Sequence, residues 1–225
     1  MMKLVKFALA TAIALGSTAA MAQQSEGKWM MRVRAVHIDT DNKSEAIAAA
    51  AIPTDGIHVS NKTIPEVDFT YFLNKNLAAE LILTYAQRHD VNITASAAGA
   101  FKAGTFKHLP PTLTLQYHFA PDAQLRPYVG AGINYTRISN VSLGPLDAVT
   151  RTLGGGNTGS NHLDKNSWGG ALQVGFDVKV GSNSYLNFDI KKVYIQTNLS
   201  NTVFGKLSTV KVDPVLVGVG YGFKF

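Results

Sequence analysis

The chain of 225 residues has the length of a single domain, contains no cysteine and carries a formal net charge of +6 at neutral pH; its mean hydropathy is +0.05. Without thiols there is no disulfide framework, thiolate nucleophile or cysteine-bound metal, and the scattered Lys and Arg residues form no run that would mark a nucleic-acid surface. No stretch of 18 apolar residues follows the N-terminus, which excludes a helical membrane protein, yet a barrel whose strands alternate apolar and polar residues has this same profile.

Residues 1–22 read as a secretory signal. Lys3 and Lys6 supply the positive region, Phe7 to Leu15 the apolar region, and Ala20-Met21-Ala22 a small-x-small cleavage site. An N-terminal membrane anchor is the competing explanation, but the apolar run falls short of the about 20 residues needed to span. Residues 23–225 are then one mature domain, with a net charge of +4 once the two signal lysines are set aside.

Alternation governs the rest of the chain. Trp29, Met31, Val33 and Ala35 interleave with Met30, Arg32, Arg34 and Val36, so residues 28–38 form a first strand. Residues 39–64 are a long connection in which Ser44 is placed to cap a short helix over the apolar run Ala46 to Ile52. The second strand, 65–74, sets Val67, Phe69, Tyr71 and Leu73 against Glu66, Asp68, Thr70 and Phe72. A tight turn at Asn74-Lys75-Asn76 returns the chain through a third strand, 77–88, where Leu77, Ala79, Leu81, Leu83 and Tyr85 oppose Glu80, Ile82, Thr84 and Ala86.

Residues 89–107 read as a second long loop, and His108 to Arg137 as a long hairpin. Its first arm alternates Leu113, Leu115, Tyr117 and Phe119 with Thr112, Thr114, Gln116 and His118. Its second alternates Val129, Ala131, Ile133 and Tyr135 with Tyr128, Gly130, Gly132 and Asn134. A third long connection, 139–166, leads to strand six at 167–180, the turn Gly181 to Ser184, and strand seven at 185–197. The last strand, 208–225, changes parity: Val210 and Val212 share a face, but beyond Asp213-Pro214 the apolar set is Val215, Val217, Val219, Tyr221, Phe223 and Phe225. A slip of one residue turns every side chain over, which predicts a bulge near Pro214.

Eight strands result, joined by connections that run long, short, long, short, long, short, long. Soluble strands average about 5 or 6 residues, whereas transmembrane strands need about 9 to 11, and these are of the longer kind. The fold class expected is all-β: an eight-stranded antiparallel transmembrane barrel with long extracellular loops, short periplasmic turns and both termini on the periplasmic side. A soluble sandwich has no reason to gather every long loop at one end, although a lipocalin-like soluble barrel can, and the aromatic chain end adds to the membrane reading.

The residues that complete this picture are His108-Leu109-Pro110-Pro111-Thr112-Leu113, Arg126-Pro127-Tyr128-Val129-Gly130-Ala131-Gly132-Ile133-Asn134-Tyr135-Thr136, Ser167-Trp168-Gly169-Gly170 with Gln173-Val174-Gly175 and Asp177, and Asp213-Pro214 before Gly220-Tyr221-Gly222-Phe223. In these motifs the chain resembles the OmpW family of small bacterial outer-membrane proteins, which includes AlkL-type alkane importers. The resemblance covers nearly the whole mature chain, closely in the strands and loosely in the loops. It implies an outer-membrane barrel whose narrow, partly apolar lumen admits small hydrophobic molecules and releases them through a lateral opening. It also implies that Phe225 is the terminal aromatic read by the barrel-assembly machinery, and that lipids and lipopolysaccharide are the surroundings.

Parity places Arg32, Arg34, Glu66, Asp68, Glu80, Arg126, Asp177, Lys179, Asp189 and Lys191 in the lumen. An eight-stranded barrel is about wide enough for side chains to fill, and interior charges are normally paired, so these residues read as a salt-bridged plug low in the barrel. Phe72 and Ile82 are the apolar lumen residues. With the segments Ala46 to Ile52 and Ile93 to Phe106 they are expected to form a funnel for a greasy solute. Local packing of ordered loops is the plainer explanation of the same residues. Neither a nucleophile motif nor metal-ligand spacing accompanies His58, His89, His108, His118 or His162, and Gly154-Gly155-Gly156 lacks the lysine of a phosphate loop. The expectation is a non-enzymatic protein without cofactor, metal or nucleic-acid partner. A structural or surface-receptor barrel, serving adhesion, phage or bacteriocin, is the alternative function.

Overall fold

The computed structural model describes residues 27–153, 156 and 159–225; the signal segment lies outside them, as does most of the Gly154-Gly155-Gly156 run. Eight long strands close on themselves: β1 (Trp29–Asp39), β4 (Lys62–Phe72), β5 (Leu77–Leu83), β8 (Thr112–His118), β9 (Leu125–Ser142), β11 (Asn166–Lys179), β12 (Ser184–Val193) and β15 (Val215–Lys224). Each is antiparallel to its neighbours in that order, and the β15–β1 ladder, from Met30↔Lys224 to Asp39↔Val215, completes the ring. Closure leaves no unpaired edge.

Period-two alternation builds the wall. Exposure and burial alternate at every position of β1, because odd-numbered residues face outward and even-numbered ones inward. Outside lies a continuous apolar band including Leu81, Leu113, Leu115, Ile133, Leu172, Val174, Ile190, Val217 and Val219, all exposed. An apolar surface of that extent belongs in lipid. Aromatic residues rim both ends: Trp29 with Tyr71, ring centroids 4.8 Å apart, and Tyr117 with Phe119 at 5.2 Å at one rim; Tyr135 with Trp168 at 4.8 Å at the other. Such girdles settle at the headgroup level.

All four long connections emerge at the Tyr135–Trp168 rim and are more ordered than the sequence suggested. The first carries β2 (Lys43–Ser44), a 3-10 turn at Ala48–Ala50 and β3 (Ile57–Val59). Ser44 does not cap that turn. Its hydroxyl accepts from the Ile57 amide at 3.3 Å, and Ile47 precedes the turn without a side-chain cap. The second connection, expected as a loop, is the hairpin β6 (Gln87–Ile93) and β7 (Phe101–Leu109). The third holds helix α1 (Gly144–Leu153) and β10 (Asn161–Leu163); the fourth is β13 (Gln196–Asn201) and β14 (Gly205–Lys211), which form a separate four-stranded sheet with β10 and β2.

Strand two runs 62–72 rather than 65–74 and the long hairpin's second arm continues to Ser142; three further boundaries depart in ways that shape the site. Strand three stops at Leu83 rather than 88: Tyr85 and Ala86 are both exposed while Gln87 is buried, so the parity slips there. Strand seven ends at Val193 and passes to the second sheet at Gln196. At Pro214 the parity changes as expected, but through a strand break rather than a bulge. Asp213 sits at φ +31°, and its carboxylate accepts from the Ile195 amide at 2.8 Å. That break lets β14 leave the barrel wall.

Above the mouth the loops bury their own core. Ile47, Ile52, Ile57, Val59, Ile93, Phe106, Leu146, Leu199 and Val210 belong to one packed cluster that reaches down to Val193 and Ile195.

Candidate functional site

The lumen has three storeys. At the periplasmic end a vestibule of about 240 Å³ is bordered by Met30, Phe72, His118, Arg126, Asp177 and Lys224. Phe72 packs there with Met30, Ala78 and Tyr185, and the Lys224 ammonium lies 4.3 Å from its ring centre. Arg126 reaches the Tyr185 hydroxyl at 2.8 Å and stacks over that ring.

The middle storey is a closed net of charge. Arg32 binds Asp177 bidentately, Nη2 to Oδ2 at 2.7 Å and Nε to Oδ1 at 3.1 Å, and also reaches Asp68 at 3.1 Å and Thr70 at 2.7 Å. Arg34 donates to Glu66 at 3.0 Å and Glu80 at 2.7 Å, and pairs with Asp68 at 3.0 Å. Lys191 joins Glu66 at 2.6 Å to Asp189 at 2.9 Å. Five carboxylates thus meet three cations, and neutral donors supply the remainder: Gln116 and Gln173 to Glu80 at 2.8 and 2.9 Å, Tyr128 to Asp189 at 2.8 Å, and Asn187 to Asp177 at 2.9 Å. These side chains are almost wholly buried. Ions this far from water persist only when so paired and hydrogen-bonded.

Above the net is a small chamber of about 30 Å³. Ile38, Ile64, Ile82, Val193, Ile195 and Leu216 give it an apolar side, while Thr84, Gln87, His108, Thr112 and Asn134 give it a polar side; Glu66 and Lys191 are its floor. A wholly apolar cavity of about 20 Å³ lies higher still, within the loop core. The wall beside the chamber is thin in backbone hydrogen bonds. The β4–β5 ladder ends at Val67↔Leu83 and the β5–β8 ladder at Ile82↔Thr112, and the neighbouring Pro65, Pro110 and Pro111 have no N–H to offer.

A model of the OmpW family matches residues 25–225. The chain belongs to the OmpW family. Outer membrane protein W of Escherichia coli is 31% identical over the full length of both chains. An uncharacterized outer-membrane protein, y4mB of Sinorhizobium fredii, is 38% identical across 88% of this chain and 80% of its own length. Among solved structures, the outer membrane protein OprG of Pseudomonas aeruginosa superposes with a TM-score of 0.73 at 26% identity, covering 91% of this chain and 98% of that one. Like these relatives, this OmpW-family barrel is an outer-membrane protein.

Within it, the residues singled out from sequence are not all brought together. Arg32, Arg34, Glu66, Asp68, Glu80, Asp177, Asp189 and Lys191 share the net; Arg126 lies below it, and Lys179 is half-buried at the last position of β11. The sequence groups Phe72 and Ile82 as one apolar path, but the net stands between them, Phe72 in the vestibule and Ile82 in the chamber. The neutral donors Gln116, Tyr128, Gln173 and Asn187 were missed as members, although inward parity was visible for each. Gln87 was missed because the slip at Tyr85 and Ala86 reverses its face.

Proposed function

We propose that this barrel takes small hydrophobic molecules from the cell surface and releases them sideways into the outer membrane, without chemical conversion. The observation that carries the reading is the stacking of the storeys: an apolar loop core and chamber lie above a charge net that offers no greasy solute a way to the periplasm. A solute descending past Ile57, Val91 and Phe106 reaches Ile82 and meets the floor of Glu66 and Lys191. The weakest part of the wall, between the upper half of β4 and the Pro110-Pro111 break, stands at that level. Separating it costs few backbone hydrogen bonds, and it opens onto acyl chains. Phe72 has no part in this path and serves the vestibule instead.

Phe225 suits a role in assembly by the barrel-folding machinery, since its side chain is exposed while its backbone exchanges hydrogen bonds with Trp29 at 2.7 and 3.0 Å, closing the ring. The extracellular sheet, raised on the loop core, sits where lipopolysaccharide surrounds the mouth.

The test is uptake of a labelled alkane by cells that have or lack the protein, beside an Ile82→Glu variant matched for surface abundance. Native protein should speed uptake and the variant should not, because a carboxylate in the chamber meets apolar walls. Equal uptake in all three strains refutes the conduit.

A further inference from the structure

Two groups on the chamber's polar side, Gln87 and His108, and a third stacked behind them, His89, have an unfilled hydrogen-bonding valence. Gln87 Nε2 donates to the Thr84 hydroxyl and, at 2.8 Å, to the Tyr85 carbonyl. A carbonyl only accepts, so the amide's orientation is fixed and Oε1 is the atom left over; it is buried with no partner. His89 Nδ1 lies 2.7 Å from the Ser60 carbonyl and must carry the proton. Its Nε2 is therefore a bare lone pair, also buried and unpartnered. His108 sits opposite Gln87 in the β6–β7 register, and its ring stacks on His89 with centroids 4.6 Å apart. Its Nδ1 has no partner either. All three side chains are essentially inaccessible, at 0%, 0% and 2% exposure. Both imidazoles are held neutral: burial lowers His89, and burial followed by the neighbouring His89 and Lys62 lowers His108 to about 3. Neutral rings keep their lone pairs free to accept.

A buried polar atom without a partner is costly, and natural structures keep few of them. Here Gln87 and His108 border the chamber that Ile38, Ile64, Ile82 and Leu216 face from the other side, with His89 stacked against His108. The chamber as it stands, about 30 Å³, holds no more than about a water or two, so a solute must part its walls; a pure hydrocarbon that does so leaves the acceptors bare. We infer that Gln87, His89 and His108 form a selectivity site for hydrophobic molecules bearing one hydrogen-bond donor, such as phenols and alcohols, with the donor placed on the acceptors and the hydrocarbon against the isoleucines. This rests on the conduit reading and names the class of solute that the conduit favours. Gln87 Oε1 and His89 Nε2 accept whichever tautomer His108 holds, so an ether or ketone of the same shape gains nothing from those two atoms.

Three probes of one shape test this: 4-ethylphenol, which donates; 4-ethylanisole, which only accepts; and 4-ethyltoluene, which does neither. Each is titrated, at equal concentration in the lipid, into protein in lipid nanodiscs carrying ¹⁵N-histidine and methyl-labelled isoleucine. The phenol should bind about tenfold more tightly than the other two, the worth of one buried hydrogen bond, and should move the imidazole ¹⁵N resonances. All three probes should move the Ile82 methyl. In a Gln87→Met, His108→Phe variant, checked for folding by its heat-dependent gel mobility, the phenol's advantage over 4-ethyltoluene should vanish. Equal binding of the three probes to the native protein, with unmoved imidazole resonances, means that the acceptors are satisfied by water alone. That result overturns this inference and leaves the conduit standing. If no probe reaches Ile82, both fall.

Discussion

Replacing Arg34 by methionine tests whether the charge net is a mutually dependent set. The substitution keeps much of the side-chain volume but removes the donors to Glu66 and Glu80 and the ion pair with Asp68, leaving Arg32 and Lys191 to serve five carboxylates. Two lost charge-assisted hydrogen bonds at roughly 1.5–3 kcal/mol each, or one broken buried pair at about 3–5 kcal/mol, give a cost of about 4 kcal/mol. The barrel can limit that loss by protonating one carboxylate. For a group with an ordinary value near 4.3, this costs roughly 1.4 kcal/mol per pH unit, hence about 4 kcal/mol at pH 7 and about 1 kcal/mol at pH 5. The destabilisation should therefore be large at neutrality and shrink about fourfold in mild acid. Urea unfolding in lipid vesicles, followed through Trp29 and Trp168 fluorescence, measures it at both pH values. A loss below about 1 kcal/mol at pH 7, or one independent of pH, would refute the reasoning.

Gly132 has no room for a side chain, since a Cβ would stand 2.0 Å from the Leu113 carbonyl oxygen and 2.6 Å from the Thr114 Cα. Gly132→Ala should cost about 3 kcal/mol in the same unfolding assay, whereas Gly170→Ala, with nothing nearer than 3.7 Å, should cost under about 0.5 kcal/mol. The loop core should also loosen in acid. His108 is lowered to about 3 when folded, so the unfolded hairpin, with its value near 6.5, takes up more protons as the pH falls. Stability is complete above about pH 6.5 and drains away toward pH 3, reaching a loss of about 2 kcal/mol at pH 5 from His108 alone. Lys62 adds to the effect on both rings, while the Ser60 carbonyl and Asp90 oppose it at His89. Hydrogen exchange of the β6 and β7 amides, corrected for the intrinsic rate, should show protection falling between pH 7.5 and 5; constant protection would exclude this linkage.

The wall was readable from sequence because lipid on one side and a packed interior on the other impose strict alternation, as along Trp29 to Asp39 and Thr112 to His118. The extracellular structure was not, for a physical reason. Strands such as β7, with Ala103, Gly104, Thr105 and Phe106 all buried in succession, are covered from both sides, and a strand covered on both faces has no period to read. Parity also fails silently wherever the chain slips by one residue. The sequence marked such a slip at Asp213-Pro214 because an apolar run continued on the other face. At Tyr85 and Ala86 no apolar run followed, so the inward turn of Gln87 and His89 left no trace. Membership of the net was legible as inward-facing charge. Which carboxylate meets which cation was not, because partners such as Arg32 and Asp177 lie 145 positions apart.

That separation bears on how the barrel comes to exist. Arg32 belongs to the first strand and Asp177 to the sixth, with Asp68 and Glu80 on the strands between, so the net spans both halves of the chain. The first three strands already bring Arg32 and Arg34 to Glu66, Asp68 and Glu80, but the pairs Arg32–Asp177 and Lys191–Glu66 join the two halves of the chain and form only as the ring closes. Only the finished ring satisfies them all at once. An incomplete sheet, with some of its ions unpaired, is thus the costlier one to bury.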